Sequence, residues 1–201
     1  MQIEHYFVHG VVENAKSDKP TLPEFLAAHT GLYGESSGAD LIVIWLNSPG
    51  GDLSVALEAT NLINRSPIPV LTIINGKAES AALMIAMSGH RRAVFENSWA
   101  MAHHFSTGMS GNYHDLTGSL ANFDALHDIM LGMYKKYTKM STKRILDTYL
   151  GRNDFWLTAE ALKAQGMVDE ILKDRDDLDN FIRGESVSGK QKKKKTTIKA
   201  V

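Results

Sequence analysis

The stretch that decides the fold runs from Leu41 to Ile74, "LIVIWLNSPGGDLSVALEATNLINRSPIPVLTII". It opens on a continuous apolar run, Leu41 to Leu46, the pattern of a strand buried on both faces. "NSPGGD" breaks that run. From Asp52, the residues Leu53, Ala56, Leu57, Thr60 and Ile63 return on one helical face. "SPIP" then ends the helix, because proline supplies no backbone donor and pushes its predecessor out of the helical region. "VLTII" is a second buried strand. Strand, helix and strand in that order make an α/β unit with a right-handed crossover.

The same alternation extends in both directions. "IEHYFVH" (Ile3 to His9) reads as a first strand, and "TLPEFLAAH" as a helix with Thr21 and Glu24 spaced as a capping box and Pro23 in its first turn. After "VLTII", Asn75-Gly76 is expected to end the strand, and a helix of small and apolar residues opens near Ser80. A short strand "RRAVF", a turn at "ENS" and a strand "WAMAHH" follow. Beyond the Gly/Ser loop "FSTGMSGN", a helical pattern runs from about Tyr113 to Tyr137, with Leu116, Leu120, Phe123, Leu126, Ile129, Met130 and Met133 among its apolar residues. It is too long for a simple crossover and is expected either to project or to pack on its own domain. A helix over about Ser141 to Leu150, an extended "DFWL", a short helix from Thr158 stopped by Gly166 and a last strand "MVDEIL" complete the body. No internal repeat is visible.

The chain has 201 residues, 43% of them hydrophobic, and no cysteine. That suits one domain with a sizeable core, here residues 1–182. No apolar run is long enough to cross a bilayer, and "MQIEHYFVHG" shows no basic region followed by an apolar stretch, so no secretory signal is expected from it. Absence of cysteine excludes disulfides, a thiol nucleophile and thiolate metal sites, and fits a cytoplasmic protein. The net charge of −1 hides an asymmetry. Residues 183–201 carry seven Lys/Arg against one Glu, whereas the rest carries 15 against 22. This lysine-rich tail is expected to be disordered by itself. A solubilising role or contact with an acidic partner or nucleic acid would each suit it. No aromatic residue is interleaved for base stacking.

Ser80 raises the chemical question. A serine in the first turn of a helix has unpaired backbone N–H groups beside it, in a field that favours negative charge. Attack by a serine on a carbonyl creates such a charge there. Helix capping is the plainer role for the residue. The sequence Ala78-Glu79-Ser80-Ala81-Ala82 is not the G-x-S-x-G elbow of α/β-hydrolases, and "NGKAES" is not a phosphate loop. An activated serine needs a base and an orienting acid. "WAMAHH" offers His103 and His104, which alternation sends to opposite faces. Spacing does not choose an acid. In "NSPGGD" two glycines permit backbone geometry closed to other residues and close approach of a substrate. There is no H-E-x-x-H, and no catalytic metal or cofactor is expected.

Four motifs, in order and in register over roughly Leu41 to Leu172, resemble the ClpP family, the proteolytic subunits of Clp proteases. "LNSPGGD" is similar to its Asn-Ser-Pro-Gly-Gly loop, "GKAES" to Gly-Gln-Ala-Ala-Ser, "MAHH" to Met-Ile-His-Gln, and "NDFWLTAEALKAQGMVDEIL" to its closing stretch. The resemblance implies an α/β fold, a ClpP/crotonase-type spiral of β-α-β units with a protruding handle helix (about 104–138). It implies Ser80 as nucleophile, His103 as general base, Asp154 as orienting acid, and the N–H groups of Gly51 and Ala81 as oxyanion hole. A peptide would lie as an added strand between Gly50-Gly51 and the segment holding Phe105 and Ser106. The expected activity is a serine endopeptidase in an oligomeric chamber, a heptameric ring or two stacked rings, served by a separate AAA+ unfoldase.

The departures from the family pattern are specific. Only Met1 to Glu4 stand where axial gating loops precede the first strand, so the pore is expected to be open or differently built. Ala81-Ala82 replaces Met-Gly, Glu79 replaces a small residue beside Ser80, Phe105 replaces a proline, and Asn153 stands where an arginine often supports ring pairing. Other readings are a phage-type relative that matures a capsid or scaffold precursor, a crotonase-type acyl-CoA enzyme, a non-catalytic ring subunit, and a Ser-Lys peptidase using Lys77.

Overall fold

The computed structural model describes residues 1–13, 19–34 and 37–187. Among the described residues seven strands and seven helices follow one another, alternating except at two successive strands and two successive helices in the middle of the chain. They are β1 (Ile3–His9), α1 (Leu22–Thr30), β2 (Leu41–Ser48), α2 (Leu53–Arg65), β3 (Val70–Glu79), α3 (Ala81–Ser88), β4 (Arg91–Phe95), β5 (Trp99–Ala102), α4 (Tyr113–Tyr137), α5 (Thr142–Thr148), β6 (Phe155–Thr158), α6 (Ala159–Ala164), β7 (Glu170–Leu172) and α7 (Arg175–Arg183). The strands join one sheet in the order β1-β2-β3-β4-β7, all parallel. β3 is the branch point. Its first half pairs with β4 through Leu71–Ile74, and its second half pairs with β5 through Lys77–Glu79. β6 then adds antiparallel to β5.

The buried runs read from the sequence are the central strands. Ile42, Val43, Ile44 and Leu46 on β2, and Val70, Ile73 and Ile74 on β3, are fully enclosed. One sheet face packs on α1, α2 and α3. All eight residues of α3 are buried, which is why that helix shows no polar stripe. On the other face Leu41, Val43, Leu71, Ile73 and Ala93 meet Phe181 of α7. The capping box at Thr21 is present, with Thr21 Oγ1 accepting from Glu24 N and Glu24 Oε2 accepting from Thr21 N at 2.7 Å.

Two expectations need correction. β3 does not end at Asn75-Gly76 but continues to Glu79. Gly76 adopts φ +121, its N–H donates to Ser98 Oγ at 2.9 Å, and a Cβ there would lie 2.7 Å from Asn47 Oδ1. The glycine thus serves a close packing of two strands while β2 and β3 shift register between Leu46 and Ser48. The second correction is α7, whose last residue, Arg183, was assigned to the tail. Asp174 caps it by accepting from Asp177 N, and Gly184 closes it in the left-handed region at φ 80. The lysine-rich part of the expected tail, from residue 188 on, lies outside the described residues.

α4 is the projecting helix. It spans 25 residues, about 37 Å at 1.5 Å per residue. Only Met130 and Tyr134 on it are buried. The Tyr134 ring meets that of Tyr149, next to α5, in a tilted contact at 5.1 Å, which anchors the C-terminal part. Farther out, Tyr113, Leu120 and Ile129 are exposed. Among the described residues no helix is long and apolar enough to cross a membrane.

Candidate active site

Three strands end at one place. β3 and β5 are parallel, with Glu79 opposite Met101, so the residue after β3 lies beside the end of β5. That residue is Ser80, whose N–H donates to Met101 O at 2.8 Å. β6 is antiparallel to β5, and its first pair is Phe155 opposite Ala102. The next residue outward on each side is His103 and Asp154. Register alone thus places Ser80 and Asp154 each within one strand spacing of His103, on opposite sides of it. His103 Nε2 lies 2.6 Å from Ser80 Oγ, and His103 Nδ1 lies 3.5 Å from Asp154 Oδ1. The second contact is an ion-pair distance rather than a tight charge-assisted hydrogen bond, and Asp154 keeps 54% of its side chain exposed.

Ser80 is the one non-glycine among the described residues with positive φ, at φ 53 and ψ −122. Such a conformation costs on the order of 1–3 kcal/mol and persists only where the surroundings impose it. Here the paired strand β3 fixes it from before and the buried helix α3 from after. Ser80 stands at the N-cap of α3 yet makes no side-chain capping bond. Capping therefore does not account for this serine. Its hydroxyl is turned to His103 instead.

The Gly50-Gly51 loop closes on the same turn. A Cβ on Gly50 would lie 2.5 Å from Glu79 O, 2.9 Å from Ser80 Cβ and 3.0 Å from Ala81 N, so only glycine lets the loop rest against the serine. Three hydrogen bonds hold the loop in place. Gly50 N donates to Ser48 Oγ at 3.1 Å, Val12 N donates to Gly50 O at 2.8 Å, and Asp52 N donates to Val12 O at 2.7 Å. In a trans peptide the C=O and the next N–H point in opposite directions. Pinning Gly50 O to Val12 therefore turns Gly51 N–H away from Val12. Gly51 and Ala81 both line the groove that holds Ser80 and His103, and Ala81 N, at the first turn of α3, has no intrahelical acceptor.

That groove has a volume of about 470 Å³. Leu53, Met84, Phe123 and Leu126 give it an apolar wall, and Phe105 and Ser106 also line it. Gly50 lies behind the serine turn rather than in the groove wall. Glu79 faces neither solvent nor Ser80. Its side chain is 10% exposed and accepts from Lys77 Nζ at 3.1 Å and from Trp99 Nε1 at 3.2 Å. Lys77 is thereby committed to a carboxylate, which leaves it unsuited to act as the base of a Ser-Lys pair. His104, the other histidine of the pair, turns to α4, where its Nε2 lies 2.8 Å from His127 Nδ1. Among the described residues no cluster of three or more His, Cys, Asp or Glu side chains could hold a metal ion.

Two contributors were not read from the sequence. Val12 acts through its main chain and from 38 positions before Gly50, so no local pattern marks it. Ser48 lies inside the "NSPGG" motif, and its buried hydroxyl, two residues before Gly50, is the readable signal for a loop-bracing role.

Comparison with known proteins gives an independent result. The Clp protease family model matches residues 27–175. An ATP-dependent Clp protease proteolytic subunit of Deinococcus radiodurans is 30% identical over 133 residues, covering 65% of this chain and 64% of the relative. The ATP-dependent Clp protease proteolytic subunit 1 of Streptomyces avermitilis is 30% identical over 150 residues, covering 73% of this chain and 67% of the relative. The chain thus matches somewhat under two thirds of the length of the first of these proteins. With the branched parallel sheet, the projecting helix and a family match over most of its length, the chain belongs to the Clp protease family.

Proposed function

We propose that this protein is a serine endopeptidase that cleaves peptide bonds through Ser80, His103 and Asp154. The observation that carries this reading is the 2.6 Å contact between Ser80 Oγ and His103 Nε2, at a serine held in a strained turn. Ser80 Oγ attacks the scissile carbonyl carbon while its proton passes to His103 Nε2. Asp154 orients the ring at Nδ1 and steadies the imidazolium. The developing oxyanion is received by Gly51 N–H and Ala81 N–H. Collapse breaks the C–N bond, with His103 returning the proton to the leaving amine. Water, deprotonated by His103, then hydrolyses the acyl-Ser80 ester. The substrate backbone lies between the Gly51–Leu53 edge and Phe105-Ser106, with an apolar side chain directed toward Met84, Phe123 and Leu126. Nothing in this sequence of steps calls for a cofactor.

The working form is an oligomeric ring in the cytoplasm, fed with unfolded chains by a separate ATP-driven unfoldase. Its support is that both relatives are proteolytic subunits of ATP-dependent Clp proteases, together with the apolar surface of the chain. Trp99 and Trp156 share one face of the β5–β6 pair and are 43% and 58% exposed, Phe7 on β1 is 58% exposed, and α4 carries exposed Tyr113 and Leu120 on its outer half and Ile129 nearer its base. Apolar surface of this kind is covered by other subunits. The test is hydrolysis of a fluorogenic peptide and of casein by the assembled protein, alone and with an AAA+ unfoldase. Peptide cleavage abolished by Ser80→Ala and by His103→Ala, with assembly retained, is the expected result. Cleavage that survives Ser80→Ala would remove the proposal.

A further inference from the structure

One polar contact beside the site is used by none of the steps above. His104 follows His103 directly, and its Nε2 lies 2.8 Å from Nδ1 of His127 on α4, with the rings nearly parallel at 21° and 5.1 Å apart. The His104 ring also packs on Phe105 at 4.5 Å, and Phe105 meets Phe123 at 5.8 Å. Phe123 and His127 are four residues apart, on one face of α4. Two adjacent residues of the segment after the base are therefore fastened to two adjacent turns of the projecting helix. Phe105 and Phe123 line the groove, and His103 holds Ser80.

We propose that His104 and His127 form a proton-sensitive clasp that positions His103 and the Phe105 wall against α4. This rests on the reading of His103 as the general base. A hydrogen bond between two imidazoles needs one donor and one acceptor. The neutral pair has both, and so does the pair with one added proton. With two added protons each facing nitrogen is a donor, and like charges meet at close range. The clasp is kept through the first proton and broken by the second, as a coupled pair. The titratable and charged groups nearest the pair along its elements are His103 on the strand end, Arg152 and Asp154 before β6, and Asp124 and Asp128 on α4, whose His114, Asp115, Lys135 and Lys136 stand two turns or more from His127. None of them supplies an acceptor between the two rings, which meet directly. His104 and His127 are positioning residues, since neither touches Ser80.

The variant that isolates the effect is His104→Gln with His127→Asn, in which amides occupy the Nε2 and Nδ1 positions and do not titrate. Two readouts are taken on the full-length assembled protein between pH 8 and pH 5. The first is hydrogen exchange, corrected for intrinsic rates, in Ser80→Ala protein. Protection of peptides covering 104–127 is expected to fall by about tenfold or more on acidification in the histidine form and to stay level in the amide form. The second is the rate of fluorophosphonate labelling at Ser80. Its logarithm is expected to fall with a slope approaching 2 per pH unit with the clasp present, from His103 plus the clasp, and with a slope of 1 in the amide form. His127→Ala is expected to show the low-pH exchange pattern already at pH 8. Equal exchange in the histidine and amide forms at every pH would overturn the clasp. Absence of labelling at pH 8 would refute the nucleophile instead, while the exchange comparison would still decide the clasp.

Discussion

Gly50→Ala tests the site through a residue that carries no functional group. The added Cβ would stand 2.5 Å from Glu79 O, 2.9 Å from Ser80 Cβ and 3.0 Å from Ala81 N, where ordinary contact begins at 3.4 Å. Two of these are main-chain atoms at the end of a paired strand and the start of a buried helix, so they cannot rotate away as a side chain would. The serine turn or the glycine loop has to retreat by just under 1 Å. Displacement on this scale at a reacting group costs about 10²-fold in rate. The alanine also has to hold φ near +88, which costs about 1–2 kcal/mol and, for a chain of this size, lowers Tm by about 2–8 °C. The expected outcome is an assembled protein with a modest loss of thermal stability and a labelling rate at Ser80 reduced about 10²-fold. A labelling rate within twofold of wild type at unchanged Tm would refute the argument that Gly50 sets the position of the nucleophile.

Other outcomes follow from the same geometry. Asp154→Asn should slow peptide hydrolysis by about 10²-fold, less than loss of a deeply buried acid would, because the carboxylate is half exposed and solvent screens the pair; steady-state kinetics at pH 8 measure it. Glu79→Ala leaves the Trp99 indole and Lys77 without their acceptor and should cost about 1–3 kcal/mol in urea unfolding, whereas Glu79→Gln, which still accepts from the indole, should recover part of that loss. Thr21→Ala removes the capping box of α1 and should cost about 1 kcal/mol with no change in the labelling rate at Ser80, since no residue of α1 lines the groove that holds the serine.

How far the sequence carried the reading depends on the range of the interactions. β2 and the C-terminal part of α4 were legible because burial on two faces and a 3.6-residue period are written in consecutive residues. Ser80, His103 and Asp154 were legible only as matches to motifs, since strand register brings them together and register is a property of the assembled sheet. Alternation along "WAMAHH" separated the two histidines but did not say that His104 would find His127, a partner 23 residues away on another element. The break expected at Asn75-Gly76 failed because a glycine in a strand also permits close packing, here against Asn47. α7 drew no reading of its own although Leu178, Phe181 and Ile182 follow helical spacing, because Asp174, Asp176, Asp177 and Asp179 dilute the apolar pattern. Glu79 was unreadable for the same reason as the site: its indole partner belongs to another strand.

The most direct test of the central claim is intact-mass analysis after treatment with a fluorophosphonate probe, on wild type and on Ser80→Ala, His103→Ala and Asp154→Asn. One adduct per chain in wild type, absent in Ser80→Ala and formed far more slowly in the other two, is the result the account expects. No adduct on an assembled, folded wild-type protein, or an adduct that persists in Ser80→Ala, would contradict it.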